Sequence, residues 1–480
     1  MASYSCGIDL GSTAVKAAVF DSAGKLCGEG ACEFLLETPR PEFVELEPEL
    51  YWSSTCEAVN KALKSAGITP REVRSVGLTG QAETLILLDA QGNPVRKAIV
   101  WLDNRAVEEA AELEKVFGIE ELVAMSGQTA MLPCWPAPKL LWVKRHEPEV
   151  FAKIAKVLMV EDFVAWKLSG AFHTHPGLLP STLYYDLRKE CWAEEILSYI
   201  GLPLNAFPDL SGSAKARELL PGAVVTVGPM DHICGHLGSG GAPGQVTECT
   251  GGSLALCAMA KKFIIDPQLR ISTYIGWQKG DYALLPWAPT AGMMMKKFRD
   301  EFSGGMSYAE LDKAAALVAP GSDGLILLPH LAGAVSPVAA PNARGAVKGL
   351  TLAHTRGHVA RAIMESVAFL LKDNANALTE LGVELKSVRA LGGGAKSPLW
   401  AQIKADVLNL PVSVGRCDEP VALGAAILSA VDSGEFSSAA EAAGALAGEE
   451  KVYSPGKDVE RYEECFREYC RFNEYILGEK

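Results

Sequence analysis

The chain has 480 residues, of which 49% are hydrophobic and 21% are charged, and its formal net charge is -13. This length suits two or three globular domains, and the negative charge argues against a general nucleic-acid binder. No signal peptide is evident and no apolar run approaches the ~18 residues of a membrane helix, so we expect a cytoplasmic protein. The 12 cysteines lack C-x-x-C spacing and are expected to be free thiols.

The first predicted elements form an antiparallel meander rather than a βαβ unit. Strands at Tyr4–Leu10 and Val15–Phe20 and a third strand from Leu26 are separated by turns of glycine and small polar residues. The next elements follow in chain order: a helix at 48–66 that ends at Gly67, strands at 73–78, 85–88 and 98–101, and a helix for which Asp103 is a candidate N-cap.

A similar pattern returns about 240 residues later, which indicates an internal repeat. Strands at Gln245–Cys249 and Leu254–Met259 enclose a second glycine turn. The repetition predicts two domains of one topology, which we place at residues 1–240 and 241–480. Later helices are predicted at 355–381 and at 398–408, the second with Ser397 as its N-cap.

Two glycine turns are the first candidates for chemistry. Asp9-Leu10-Gly11-Ser12-Thr13-Ala14-Val15-Lys16 places hydroxyl and backbone N–H donors after a buried strand, where they can surround a phosphate. Asp9 could hold Mg²⁺ and Lys16 could offset phosphate charge, although a plain hairpin turn is the competing interpretation. Thr250-Gly251-Gly252-Ser253 is the matching turn of the second half, and the pair predicts a polyphosphate site.

Asp231 follows an apolar strand at 223–227 and precedes a short helix. A carboxylate there can accept the proton of a substrate hydroxyl as that hydroxyl attacks a phosphoryl group. The alternative role is a helix N-cap. His232 is expected near the substrate in a packing role rather than a catalytic one.

The run Gly392-Gly393-Gly394-Ala395-Lys396-Ser397 precedes the last predicted helix. It can let adenine or a phosphate approach closely, and a tight strand-to-helix turn is the alternative. The run lacks Walker spacing, and no G-x-G-x-x-G or H-E-x-x-H motif occurs. P-loop, Rossmann and zinc-hydrolase interpretations therefore lose support.

Gln81, Glu83, Trp101 and Asp103 each come shortly after an apolar strand. Side chains at strand ends often line a cleft, where Glu and Gln can bond sugar hydroxyls and Trp can cover a C–H face. These four residues are therefore candidates for substrate binding. For Trp101 taken alone, a position in the core is favoured.

These residues resemble the FGGY family of carbohydrate kinases over most of the chain, from about Tyr4 to Val431. The second signature of that family is matched at every position by residues 345–350 and, after seven residues, by residues 358–365. The first signature is matched nearly as well, although Cys134 departs from its usual opening residue. The matching residues are Pro136, Lys139, Trp142, Val143 and His146.

The resemblance implies an α/β fold of two duplicated actin-like (ribonuclease H-like) ATPase domains with a cleft between them. It implies a kinase that uses ATP and Mg²⁺ to phosphorylate a hydroxyl of a small sugar or polyol, and a homodimer as the usual family habit. Asp9 to Lys16 resembles the first phosphate and Mg²⁺ motif, and Thr250 to Gly252 resembles the second phosphate loop. Residues 392–396 resemble the adenosine motif, and Asp231 stands at the catalytic base, although Gln or Asn commonly follows it.

The sequence motifs indicate the substrate less clearly than they indicate the family. Gly80-Gln81-Ala82-Glu83 lacks the Met-His pair typical of xylulokinases and the Arg typical of glycerol kinases, but it keeps the glycerol-type Glu83. Residues 101–105 and 392–400 look more like xylulokinases, so a ketopentose such as xylulose is favoured. The alternatives are a glycerol or tetritol kinase and an actin-like ATPase that switches a protein partner.

Overall fold

The structure is a computed structural model that describes residues 3–210, 212–242, 244–415, 417–446 and 450–478. The chain divides into two compact units, each made of three segments. The first unit takes Met1–Gly241, Ala260–Ala283 and Cys417–Gly448, and the second takes Ala242–Met259, Leu284–Arg416 and Glu449–Lys480. These interleaved units differ from the two continuous halves that the sequence predicted, because segments from the second half pack with the first.

The strands are numbered in chain order. They are β1 Tyr4–Leu10, β2 Ala14–Asp21, β3 Leu26–Glu33, β4 Glu45–Leu46, β5 Val73–Gly80, β6 Leu85–Leu88, β7 Ala98–Ile99, β8 Lys156–Met159, β9 Tyr185–Asp186, β10 Cys191–Trp192, β11 Ser213–Lys215, β12 Val224–Val227, β13 Gln245–Thr250, β14 Leu254–Ala260, β15 Ser272–Ile275, β16 Tyr282–Leu285, β17 Trp287–Ala288, β18 Ile326–Leu328, β19 Ala346–Lys348, β20 Ser387–Leu391, β21 Val412–Gly415 and β22 Glu450–Tyr453.

The α-helices are numbered in the same way. They are α1 Pro48–Ala66, α2 Val107–Phe117, α3 Ile119–Ser126, α4 Pro136–His146, α5 Pro148–Phe151, α6 Val160–Ser169, α7 Glu194–Ile200, α8 Asp231–Gly238, α9 Gly292–Lys297, α10 Tyr308–Ala316, α11 Arg356–Glu380, α12 Pro398–Leu408, α13 Pro420–Asp432, α14 Ala439–Leu446 and α15 Val459–Gly478. Within the ranges described above, no helix has both the length and the apolar character needed to cross a membrane.

The first unit is built on a six-stranded sheet in the order β11-β12-β5-β1-β2-β3. β1, β5 and β12 run parallel, and β2 and β3 complete the predicted antiparallel meander. The central strands β1 and β5 are buried along most of their length, and most of the residues in their middle are apolar or glycine. α1 packs on β2 and β3 and ends as predicted at Gly67, which adopts a left-handed conformation with φ 69°.

A smaller sheet of the first unit, in the order β4-β7-β6-β8, lies next in the chain. Apolar residues on one face of this sheet form a second core with α3, α4 and α7, and those on its other face join the core under the six-stranded sheet. The loops that lead into β6 and out of β7 carry the predicted sugar-binding residues. These loops therefore start at the ends of β5 in the larger sheet and of β7 in the smaller sheet.

The second unit repeats the topology of the first. Its sheet contains the path β14-β13-β20-β21-β22, with β17 also paired to β14. β13, β20 and β21 run parallel, β14 returns antiparallel to β13, and β22 runs antiparallel to β21. The same relations hold for β1, β5, β12, β2 and β11, so the internal repeat inferred from the two meanders is present in the structure.

α13 belongs to the first unit although it lies close to the end of the chain. It packs on β1, β5 and α8 through backbone contacts that only glycine permits. A Cβ at Gly7 would lie 1.8 Å from the carbonyl oxygen of Ala422, and one at Gly77 would lie 1.8 Å from that of Ala425. Since such distances are far inside van der Waals contact, the apolar helix and the sheet meet almost backbone to backbone.

Candidate active site

The predicted phosphate turn of the first unit joins β1 and β2 at Gly11-Ser12-Thr13. Asp9 and Lys16 face each other across the antiparallel pair on either side of this turn. The Lys16 ammonium lies 3.3 Å from the Glu419 carboxylate and is half exposed. Lys16 therefore already has an acidic partner, and its contact with a phosphate stays a prediction.

Asp9 has the character of a ligand for a hard cation. Its Oδ1 is buried and has no hydrogen-bond partner in the structure. Burial raises the pKa of Asp9 to about 7, with the Asp231 carboxyl raising it further and Lys16 lowering it. An unpartnered carboxylate oxygen close to a second carboxylate is a donor set that fits Mg²⁺.

Asp231 is the first residue of α8 and is held close to the end of β5. The Gly228 amide donates to the Leu78 carbonyl at 2.7 Å, and the Thr79 hydroxyl donates to the Pro229 carbonyl at 2.7 Å. Asp231 Oδ1 accepts from the His232 amide at 2.6 Å, and the side chain is 34% exposed. The N-cap position is Met230 and no side chain caps this helix, so the alternative role of Asp231 as a cap is not what the structure shows.

The loop after β5 has an unusual backbone. Ala82 and Glu83 both adopt positive φ, at 50° and 57°, which is rare for residues with a side chain. The Ala82 amide donates to Glu161 Oε1 at 3.1 Å, and Lys139 Nζ reaches the Glu83 carbonyl at 3.5 Å and the Val100 carbonyl at 2.9 Å. Glu161 and Lys139 are fully buried, so this strained loop is held by hydrogen bonds to two buried side chains, one acidic and one basic.

The Glu83 side chain is partly buried among polar groups of the first unit, beside Lys139 and Ser181. Burial raises the pKa of Glu83 to about 7, while a hydrogen bond from the Ser181 hydroxyl and the charge of Lys139 lower it. Burial also raises the pKa of Tyr274 and Glu83 raises it further, whereas Ser181 lowers it. The buried Ser181 hydroxyl therefore lies next to both Glu83 and Tyr274, and it is a candidate partner for a substrate hydroxyl.

Gln81 and Trp101 connect the sugar candidates to the phosphate turn. Gln81 Nε2 donates to the Tyr51 hydroxyl at 3.2 Å and reaches the Gly11 carbonyl at 3.5 Å, while its Oε1 is buried without a partner. Trp101 Nε1 donates to Ser12 Oγ at 2.8 Å. Trp101 also packs partly buried against the first core, in line with the favoured core position, and its contact with substrate stays a prediction.

Asp103 is a correction to the sequence prediction. It does not cap α2, whose N-cap position is Ala106 without any capping side chain. Its carboxylate is fully buried, accepts from the Val44 amide at 2.6 Å and forms an ion pair with Arg105 at 2.7 Å. With both oxygens engaged and no exposed surface, Asp103 supports the loop after β7 rather than binding substrate directly.

Three site residues escaped the sequence prediction: Glu161, Ser181 and Tyr274. Burial raises the pKa of Glu161 to about 8, the Asp231 carboxyl also raises it, and Glu161 Oε2 has no partner. Glu161 follows β8 directly, so the strand-end rule that selected Gln81 could have found it. Ser181 and Tyr274 lie in segments without such a signal.

The predicted second phosphate turn lies in the second unit between β13 and β14. The Gly251 amide donates to the Ser253 carbonyl at 3.0 Å, and the Gly252 carbonyl accepts from the Ala291 amide at 2.8 Å. The Thr250 hydroxyl is buried and donates to Glu248 Oε2 at 2.6 Å. This hydroxyl is therefore already hydrogen-bonded within the protein, and a contact with phosphate would compete with that bond.

The glycine run of the second unit follows β20 and leads into α12. Gly392 has φ 76°, residues Gly393–Lys396 form one short helical turn, and the Ser397 hydroxyl accepts from the Trp400 amide at 3.1 Å. The predicted N-cap is therefore correct. A Cβ at Gly394 would lie 2.8 Å from Thr250 Cβ, so the predicted adenosine and phosphate segments are in contact within this unit.

The chain matches two domain models, the N-terminal domain of the FGGY family of carbohydrate kinases at residues 4–234 and the C-terminal domain at residues 282–433. It is 29% identical to the xylulose kinase of Bacillus subtilis over 97% of this chain and 96% of the relative. It is 30% identical to the glycerol kinase of Citrifermentans bemidjiense over 99% of both chains.

Among solved structures, the xylulose kinase of Rhodospirillum rubrum is 26% identical and superposes with a TM-score of 0.89 over 99% of both chains. The predicted fold class, a duplicated actin-like α/β architecture, is confirmed. The two domain models cover well over half of the chain. The protein belongs to the FGGY family of carbohydrate kinases and is an ATP-dependent sugar kinase.

Proposed function

We propose that this kinase transfers the γ-phosphoryl group of ATP to a hydroxyl of a ketopentose such as xylulose, with Asp231 as the general base. The single observation that carries the mechanism is the position of Asp231. Its carboxylate is one-third exposed at the start of α8, and it raises the pKa of Asp9, Glu83 and Glu161. It therefore lies near these three carboxyl groups of the first unit.

In this mechanism Asp231 accepts the proton of the acceptor hydroxyl as its oxygen attacks the γ-phosphorus atom. The bond from that phosphorus atom to the bridging oxygen of ATP breaks, and ADP leaves. Asp9 would hold the Mg²⁺ ion, which supplies charge neutralisation on the phosphate oxygens. The turn at Gly11-Ser12-Thr13 contributes donors to the transferred group.

Protonation of the neighbouring carboxyls supports this arrangement. Asp9, Glu83 and Glu161 have a pKa of about 7, about 7 and about 8. Without ligand they carry less negative charge near neutral pH than ordinary carboxylates do. This lowers the electrostatic repulsion that an incoming polyanion such as ATP meets at the site.

The preference for a ketopentose is supported by the xylulose kinases among the relatives and by the polar cluster of Glu83, Ser181 and Tyr274. Gln81 Oε1 is buried without a partner, so a hydroxyl of the acceptor would supply a hydrogen bond that the protein lacks. The second candidate is glycerol or a tetritol. Glu83 and the 30% identity to a glycerol kinase favour it.

A coupled ADP-release assay with Mg²⁺ and ATP tests the acceptor. The panel contains xylulose, other ketopentoses, glycerol and tetritols, with an acceptor-free reaction as the blank. We expect xylulose or a related ketopentose to give the highest kcat/KM. Turnover restricted to glycerol or a tetritol would establish the second candidate, and ATP hydrolysis indifferent to every acceptor would contradict both. The homodimer implied by the family resemblance stays a prediction for sedimentation analysis.

A further inference from the structure

A buried ionic network lies directly beneath the second phosphate turn. Glu248 and Lys404 are both completely inaccessible to solvent, and Glu248 Oε1 lies 2.5 Å from Lys404 Nζ. Lys404 Nζ also donates to the Thr250 hydroxyl at 2.9 Å, and that hydroxyl donates to Glu248 Oε2 at 2.6 Å. The three side chains form a closed ring of hydrogen bonds within the second unit.

The positions of these residues follow from the secondary structure. Glu248 and Thr250 are two residues apart on β13, so their side chains point to the same face of the sheet. Lys404 lies on α12, the helix that begins directly after the glycine run. The network therefore connects the strand before the phosphate turn to the helix after the adenosine segment.

The network also decides what the Thr250 hydroxyl can do. A hydroxyl has one proton to donate, and here that proton is directed to the Glu248 carboxylate. Thr250 is buried, and Lys404 occupies one of its acceptor positions. A phosphate oxygen needs a donor, so Thr250 Oγ1 is not available to it. Phosphate would then be bound by backbone N–H groups of the turn other than that of Gly251, which already donates to the Ser253 carbonyl.

Burying a charge pair is expensive, and apolar residues of the same volume often stabilise a fold as well or better. General stability is thus a weak explanation for Glu248 and Lys404. A second consequence is more specific, because Thr250 packs against Gly394 and its carbonyl lies beside Gly392. Fixing Thr250 fixes the backbone of the phosphate turn against the glycine run.

We propose that Glu248 and Lys404 are positioning residues for the nucleotide, which hold Thr250 so that the phosphate turn and the adenosine segment keep one relative geometry. The proposal rests on the proposed function, since it assumes that these two segments bind ATP. Neither side chain touches the nucleotide, and both act through Thr250. A shift of about 1 Å in such a segment can reduce function by about 100-fold.

The test measures ADP affinity by calorimetry, which needs no sugar, for Lys404→Met, Glu248→Gln and the double variant Glu248→Leu/Lys404→Met. We expect each to raise the ADP Kd by roughly 10- to 100-fold, while the sugar KM at saturating ATP changes little. The double variant buries no unpaired charge, so it should be more stable than Lys404→Met and yet bind ADP as weakly.

Arg361 offers a matched control in the same unit. It forms an ion pair with Glu365 at 2.8 Å that is also buried, with side-chain exposures of 7% and 3%, and it contacts the Tyr462 hydroxyl. Arg361→Met should lower the unfolding temperature without changing the ADP Kd of the folded protein. If this control weakens ADP binding as much as Lys404→Met does, the effect is general destabilisation and the proposal fails.

Two further outcomes would overturn the proposal that Glu248 and Lys404 position the nucleotide-binding segments. Recovery of wild-type ADP affinity in the double variant would show that the pair serves the fold alone. Unchanged ADP affinity in all three variants would show that Thr250 needs no anchor. Wild-type protein that bound no adenine nucleotide would refute the proposed function as well, so the two failures are distinguishable.

Discussion

Replacing Glu161 by Gln should stabilise the protein at neutral pH but not in mild acid. In the folded chain this carboxyl is fully buried and its pKa is raised from 4.5 to about 8. The unfolded chain loses the proton above pH 4.5, whereas the folded chain keeps it until about pH 8. A raised carboxyl pKa therefore costs stability progressively as pH rises through this window.

The magnitude follows from the same two values. At pH 7 the unfolded carboxyl is about 2.5 pH units above its pKa, and each unit corresponds to about 1.4 kcal/mol, which gives a cost of about 3 kcal/mol. Gln removes this titration. It keeps an acceptor for the Ala82 amide, and like the protonated acid it places an unpaired donor at the Oε2 position.

The assay is urea unfolding followed by tryptophan fluorescence from pH 5 to pH 8, without nucleotide, sugar or Mg²⁺. The variant and the wild type should unfold at similar urea concentrations at pH 5, and the variant should gain about 3 kcal/mol by pH 7. Glu29→Gln, on the exposed surface of β3, is the control for loss of one carboxylate. A difference between Glu161→Gln and wild type that does not change with pH would refute the reasoning.

Three further predictions concern turnover, specificity and packing. Asp231→Asn should lower kcat by about 10²–10⁴-fold and leave ADP affinity intact; near wild-type turnover would remove Asp231 from the mechanism. Glu83→Ala should raise the sugar KM far more than the ATP KM, and equal increases would place Glu83 outside the sugar pocket. Gly77→Ala should reduce the free energy of unfolding by about 1–3 kcal/mol or more, because its Cβ would meet the Ala425 carbonyl; unchanged urea unfolding would contradict the close packing of α13.

Local patterns predicted the parts of the fold that local forces determine. The first meander, the bounds of α1 with its glycine end, and the Ser397 cap depend on residues within one or two turns of each other. The repeat of this meander was enough to infer the duplicated topology. Asp9, Gln81, Glu83 and Asp231 share one unit as expected, because strand ends of one sheet meet at its edge.

The failures came from contacts between residues far apart in the chain. Asp103 looked like a helix cap or a ligand, but the Val44 amide, 59 positions earlier in the chain, donates to its carboxylate, and its partner Arg105 also binds Glu45. Glu161 accepts from the Ala82 amide from the first turn of α6, about 80 residues later in the chain. No spacing rule within a short window reports such pairs.

The placement of α13 fixes the order in which this protein can mature during synthesis. β1 leaves the ribosome early, but the helix that covers it is made roughly 400 residues later. At a translation speed of about 5–20 residues per second, α13 is synthesised roughly 20 to 80 seconds after β1. Until then an apolar face with glycine-lined grooves stays open to chaperones and to aggregation, and a fragment that stops before Pro420 would never close it.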